Sequence, residues 1–171
     1  MCNNVLQKII DKKKSKLEKI KNEISLESIN DQIEKINNFI DFKNKIQNNI
    51  NNNNLSIIAE IKKASPSAGI IIKNYDPLSI AEIYFKNKAT CLSILTEEDY
   101  FLGKLDHIKK IKQQINLPVL CKDFFIDKFQ VKLSKSYGAD AILIILAGVN
   151  EKIADELYQE AINQKMSVIV E

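Results

Sequence analysis

From Ser56 to Glu171, short apolar runs alternate with amphipathic stretches, and this alternation limits the chain's possible folds more than any other feature. The strand-like runs lie at about 56–62, 90–95, 118–122, 141–147 and 167–171, and they repeat about every 22–34 residues. Helical stretches separate them, and three carry clear start signals: Asp76 followed by Pro77, then Asp127, then Asn150. A short polar side chain at the N-cap accepts a bond from an otherwise orphaned backbone N–H, and proline suits the first helical position. Gly138 stands where the Asp127 helix should close. Apolar strands alternating with amphipathic helices predict an α/β fold whose parallel sheet is buried on both faces. A doubly wound open sheet and part of a (β/α)8 barrel both satisfy the pattern. No Gly-x-Gly-x-x-Gly opens a helix, so a dinucleotide fold has no support.

The first 54 residues read differently. Leu6, Ile9, Ile10, Leu17 and Ile20 fall on one face of a helix, and Leu26, Ile29, Ile33, Ile36 and Ile40 on one face of a second. The asparagine-rich stretch from Asn48 to Asn54 predicts a loop. The expected organisation is therefore a helical extension and linker over 1–54, then a βα body over 55–171 with five strands.

Charged residues gather at the C-terminal ends of the strands, where both architectures place their active sites. Side chains alternate along a strand, so Ile57, Ala59 and Ile61 point one way and Ile58, Glu60 and Lys62 the other. Glu60 and Lys62 are expected roughly 7 Å apart, a gap that suits a small charged ligand better than a direct ion pair. Lys122 ends the third run and Glu171 the fifth, with matching parity. In a barrel these four would meet at one mouth, where a protonated lysine can act as a general acid and a desolvated glutamate as a base. The alternative for each is a strand end that merely reaches solvent. The stretch from Lys63 to Tyr75 is long for a βα connection and predicts a structureless binding loop, in which Ser65, Ser67 and Gly69 could hold a phosphate. Phe101, Phe124 and Phe125 lie just past strand ends and either line an aromatic pocket or pack the helices. Asp123 has the opposite parity to Lys122 and is expected to cap or hold its loop. His107 sits among lysines on a helix and is expected at the surface.

Composition sets further bounds. A net charge of +3 over 171 residues, without a basic stripe interleaved with aromatics, argues against a nucleic-acid partner. The cluster Lys12-Lys13-Lys14 stands alone. Cys2, Cys91 and Cys121 are too few and too widely spaced for a metal or disulfide framework; the latter two read as small buried hydrophobes. Reduced thiols and the lack of a signal peptide lead to an expectation of the cytoplasm. No apolar run approaches the roughly 20 residues that span a membrane.

Several segments together resemble one family. They are Glu-Ile-Lys-Lys-Ala-Ser-Pro-Ser-x-Gly from Glu60, Leu-Thr-Glu-Glu-Asp-Tyr-Phe-x-Gly at 95–103, Pro-Val-Leu-Cys-Lys-Asp-Phe at 118–124, Gly-Ala-Asp-Ala-Ile-Leu-Ile-Ile at 138–145, and the terminal Val-Glu. In order and spacing they resemble indole-3-glycerol-phosphate synthase, and the start Val5-Leu6-Gln7-Lys8-Ile9-Ile10 is similar to that family's N-terminal extension. The resemblance implies a (β/α)8 TIM barrel and a carboxy-lyase of tryptophan biosynthesis. Its substrate would be 1-(2-carboxyphenylamino)-1-deoxyribulose 5-phosphate, closed to an indole with loss of CO2 and water. It implies no metal and no organic cofactor. By position it implies that Lys122 is the general acid on the substrate carbonyl and that Lys62 pairs with the substrate carboxylate and shares the acid role. Glu171 would assist proton transfer in dehydration, and Glu60 would orient the lysines and the substrate amine. Ser65 would contact phosphate, while Phe101, Phe124 and Leu143 would line the ring pocket.

Eight units at this spacing need roughly 250 residues, so the expectation is a barrel truncated after about five units. The family's strand-6 asparagine, strand-7 serine and glycine-rich phosphate loops after strands 7 and 8 are not among the 171 residues, for which weak or absent turnover alone is expected. Two alternatives remain: an inactive barrel fragment, or another phosphate-binding barrel such as phosphoribosylanthranilate isomerase, which uses a cysteine and aspartate pair in a different arrangement. Association with other enzymes of the pathway is left open.

Overall fold

A computed structural model describes residues 3–171. Cys2 lies outside the described residues. Among these residues are seven α-helices and seven strands. Three helices come first: α1 (Asn3–Glu23), α2 (Leu26–Glu34) and α3 (Phe42–Asn51). The body follows as β1 (Ile58–Ile61), a small hairpin β2 (Ala64–Ser65) and β3 (Gly69–Ile70), α4 (Pro77–Lys86), β4 (Cys91–Leu95), α5 (Leu105–Lys112), β5 (Val119–Lys122), α6 (Lys128–Ser136), β6 (Ala141–Ile144), α7 (Glu151–Asn163) and β7 (Ser167–Val170).

The five long strands form one parallel sheet in the order β1-β4-β5-β6-β7. Each new strand is laid beside the preceding one, and the order never reverses. A doubly wound sheet requires such a reversal, so that alternative is set aside. The four connecting helices pack on one face. There Ala59, Ile61, Leu92, Ile94, Val119, Cys121, Ile142 and Ile144 meet Ala81 of α4, Ile108 and Ile111 of α5, Val131 of α6 and Leu157 of α7. The opposite, inner face carries a smaller apolar cluster of Cys91, Leu120, Ala141 and Leu143, closed by Phe42 of α3; the connecting helices lie on the outer face.

The capping signals act as their chemistry requires. Asp76 accepts from the Leu78 N–H, Asp127 from that of Phe129 and Asn150 from that of Ile153. Gly138 ends the turn after α6 at φ +97°, where a side chain would be strained.

Four expectations need correction. The helix read through Ile40 stops at Glu34, and residues 35–41 form a strap outside helix and sheet. The Ile40 N–H is spent on the Asp140 carboxylate, and the Asn38 amide donates to the Lys112 carbonyl. The expected asparagine-rich loop is partly helical, because packing of Phe42 and Ile46 against the inner face overrides the weak propensity of Asn48, Asn49 and Asn51. The fourth strand ends at Ile144, not Ala147, and Leu146–Gly148 form a 3-10 turn. The loop after β1 is not structureless: Ala64 pairs with Ile70 and Ser65 with Gly69, and the Lys63 carbonyl accepts from Ile71 and Ile72.

Candidate functional site

Glu60 is in β1, Lys122 ends β5 and Glu171 follows β7; one strand lies between β1 and β5 and one between β5 and β7. Neighbouring strands are about 4.8 Å apart, so groups two strands apart start nearly 10 Å from one another. Their long side chains close that gap. Lys122 Nζ lies 4.0 Å from one Glu60 carboxylate oxygen and 3.8 Å from a Glu171 oxygen, and Lys62 Nζ donates to the other Glu60 oxygen at 2.5 Å. Four charges thus form one chain, Lys62-Glu60-Lys122-Glu171. Glu60, Lys62 and Lys122 are half-buried and Glu171 is exposed. The expectation that the Glu60–Lys62 gap disfavours a direct pair is wrong: both side chains are long and flexible enough to close it.

The sheet and its loops set the surroundings. Leu143 is buried next to Ile142, which pairs with Cys121, so Leu143 stands beside Lys122 on the inner face. Its neighbours there are Leu120, Ala141 and Phe42. Phe101 and Phe124 face each other with centroids 6.1 Å apart and planes tilted by 39°. Phe125 goes the other way and packs among the outer helices. Of the three aromatics, two are therefore at the charged end and one is core. Ser65 lies in the hairpin, where its hydroxyl accepts from the Ala68 N–H and neighbours the Ser67 hydroxyl at 3.4 Å.

The sequence reading missed the residues that hold these groups in place. Glu97 is buried and its carboxylate takes the backbone N–H groups of Asp99, Tyr100 and Phe101, which fixes the turn that presents Phe101. The chain then passes through Leu102 at φ +53° to Gly103, whose backbone lies against the Leu95 carbonyl. A Cβ at Gly103 would stand about 2.2 Å from that oxygen, so glycine alone fits. The available signal was the acidic pair followed by Phe-x-Gly, but parity says nothing of a side chain that bonds its own loop. Asp123 does hold its loop: it accepts from Thr96 Oγ1 at 2.7 Å, from the Phe124 N–H at 2.7 Å and from Lys13 Nζ at 2.6 Å.

Cys91 and Cys121 are buried and unpaired; burial pushes the Cys91 thiol up to about 12 and raises that of Cys121 as well, so neither is poised as a nucleophile. His107 is not a surface residue but half-buried, with its ring 5.6 Å from that of Tyr75. No group of three or more potential metal ligands occurs among the described residues. No described helix is long and apolar enough to cross a membrane.

A parallel βα sheet in unreversed order, with acids and bases converging at the carboxyl ends of its strands, defines a βα protein whose charged groups stand where βα folds place their sites. A family model described as "Indole-3-glycerol phosphate synthase" matches residues 6–171. Relatives bearing that name include one from Aliarcobacter butzleri, 39% identical over 167 residues that make up 98% of this chain and 64% of the relative. One from Exiguobacterium sibiricum is 34% identical over 98% of this chain and 62% of the relative, and one from Alkaliphilus metalliredigens is 42% identical over 86% and 56%. The chain belongs to the indole-3-glycerol phosphate synthase family. It spans less than two thirds of the length of these relatives.

Proposed function

We propose that this protein is an indole-3-glycerol-phosphate synthase, a carboxy-lyase acting in tryptophan biosynthesis on 1-(2-carboxyphenylamino)-1-deoxyribulose 5-phosphate. The observation that carries the reading is the Lys62-Glu60-Lys122-Glu171 chain at the carboxyl end of the sheet. In the proposed reaction Lys122 gives a proton to the ketone oxygen as the ring carbon bearing the carboxylate attacks the ketone carbon. The C–C bond to the carboxylate breaks, CO2 leaves, and its electron pair restores the aromatic ring. The new hydroxyl then leaves as water while a neighbouring carbon loses a proton, with Glu171 as the proton relay. Lys62 pairs with the substrate carboxylate until it leaves and can share the acid role. Glu60, in contact with both lysines, orients them and the substrate amine. Phe101, Phe124 and Leu143 line the ring pocket, and Ser65 contacts the phosphate. No cofactor or metal enters the scheme.

We also propose that the five units are the first of a (β/α)8 barrel, with 1–54 as its extension and linker and 55–171 as barrel. The unreversed strand order and the convergence of charges across intervening strands support this. A small phosphorylated ligand suits the site better than a nucleic acid, since Lys12, Lys13, Lys16 and Lys21 of α1 are engaged by acidic groups of the body. The buried free thiols accord with a cytoplasmic setting.

The test, made on a protein that carries all eight units of the barrel, is appearance of the indole chromophore from that substrate, with binding of the alcohol made by reducing its ketone measured in parallel. Lys122→Ala is expected to lower kcat by about 10²–10⁴ while leaving the far-UV CD spectrum unchanged. Near wild-type turnover by that variant would sink the assigned role. If the alcohol binds in a Lys122-dependent way but no indole forms, the ligand assignment stands and the chemistry falls.

A further inference from the structure

We propose that Lys13, on the first helix and remote in sequence from the sheet, is a positioning residue for Lys122 and Phe124, acting through Asp123. This rests on the ring-closing function proposed above. Three groups converge on the Asp123 carboxylate. One oxygen takes Lys13 Nζ and the Phe124 N–H, and the other takes Thr96 Oγ1. The Thr96 N–H in turn donates to the Lys122 carbonyl at 3.1 Å. The backbone on both sides of Asp123 is thus tied into a closed ring: Lys122 by its carbonyl to Thr96, Thr96 by its hydroxyl to Asp123, and Asp123 back to the next amide. Lys122 and Phe124, the groups placed beside the substrate, flank the residue at the centre of that ring.

Asp123 is buried and Lys13 is nearly so. A buried carboxylate is stable as an anion only when it is paired and hydrogen-bonded. Within the ring, Thr96 and the Phe124 amide supply neutral donors, and only Lys13 supplies a charge. Neighbouring contacts fix where α1 delivers that ammonium. Lys16 Nζ lies 2.9 Å from Asp99, Lys21 Nζ lies 2.7 Å from Asp127, and Ile10 packs near Gly148. The helix therefore touches the loops that follow β4, β5 and β6, and Lys13 is the one of its lysines that reaches Asp123. Loss of the Lys13 charge leaves Asp123 to seek water, and the loop that aims Lys122 and Phe124 loosens.

The experiment compares wild type with Lys13→Met and Lys13→Arg, each in a protein that carries all eight units. Amide exchange is followed without substrate, and kcat and KM with it. In Lys13→Met the Phe124 amide is expected to exchange about tenfold faster, while the Ile142 amide inside β6 changes less than about twofold. Turnover is expected to fall about 10–100-fold with KM within about threefold, and arginine is expected to restore most of both. Unchanged Phe124 exchange, or exchange that rises equally at Phe124 and Ile142, overturns the proposal. Should Lys13→Met fail to fold, Lys13→Gln removes the same charge while keeping a polar donor and carries the same expectation. If a wild-type protein that carries all eight units lacks the ring-closing turnover, the proposed function falls, and the amide measurement still decides the role of Lys13.

Discussion

Tyr75 Oη and His107 Nδ1 are buried without a hydrogen-bond partner among the described residues, although their rings are in contact. Burial lowers the His107 pKa from its ordinary 6.5, and Lys110, Lys104 and Lys63 push it the same way against the opposing pull of Asp106. Burial and the nearby Asp76 push the Tyr75 hydroxyl up to about 12. Both groups are thus neutral at pH 7, and the end of the loop that begins at Lys63 rests on an uncharged pair. A depressed folded-state pKa adds stability that is present above the unfolded value and is lost as pH falls through the folded one. The window for His107 therefore opens just below 6.5. The carboxyls of Asp99 and Asp127, held below their ordinary 3.8, act only in more acid solution. Melting temperatures at pH 7 and pH 5 separate the effects: wild type is expected to lose stability over that interval and His107→Phe to lose less. Equal slopes would remove His107 from the account. The sequence could not show this pairing, because helical position says only which residues share a face and nothing of which loop covers it.

The strap over residues 35–41 shows how an element without helix or sheet is held. Asp140 is almost wholly buried and accepts from Lys112 Nζ at 2.7 Å, from the Val119 N–H at 2.8 Å and from the Ile40 N–H at 2.9 Å. Burial raises the Asp140 pKa, and the Lys112 charge and the two backbone donors oppose it. One side chain thereby joins the strap, the last turn of α5 and the start of β5. Asp140→Ala leaves the Lys112 ammonium buried and unpaired and unties the Ile40 end of the strap, so a loss of about 3–5 kcal/mol is expected in urea unfolding. A loss below about 1 kcal/mol would show that Lys112 finds water instead. At Gly103 the constraint is steric: Gly103→Ala drives a methyl into the Leu95 carbonyl and is expected to cost about 3 kcal/mol, read by the same unfolding curve. Element boundaries were less legible than element identity. The apolar spacing of Ile36 and Ile40 continues the helical period, but Asp140 competes for the Ile40 N–H from 100 residues away. Conversely, Asn49 earns its helical place through a bond from its amide to Thr90 Oγ1 and through the packing of Phe42 and Ile46 nearby.

Across the whole molecule, the two faces of one sheet have separate tasks. The alternation of apolar runs showed that the sheet is parallel and that its charged strand ends face one way, since period-two parity survives small errors in strand length. It left open the strand order, which depends on which edges pair, and it did not show that α1 and α3 serve opposite ends of the sheet. α1 brings lysines to the loops that follow the strands, whereas α3 carries Phe42 onto the inner face against Cys91, Leu120, Ala141 and Leu143. That inner cluster is small, so each of its members matters more than one among the many residues on the outer face. Phe42 is fully buried and links residues before the sheet to three of its strands. Phe42→Ala removes its ring from a site that cannot collapse around a rigid sheet, and a loss of about 3–5 kcal/mol is expected. Because α2 packs on α6 through Ile29, Phe129 and Leu133 and α1 is pinned by ion pairs, the helices before the sheet should not melt first. Far-UV CD and tyrosine fluorescence are expected to follow one coincident transition in both wild type and variant, shifted to lower denaturant in the variant. An early separate transition, or a shift worth under about 1 kcal/mol, would mean that the inner face is held without Phe42.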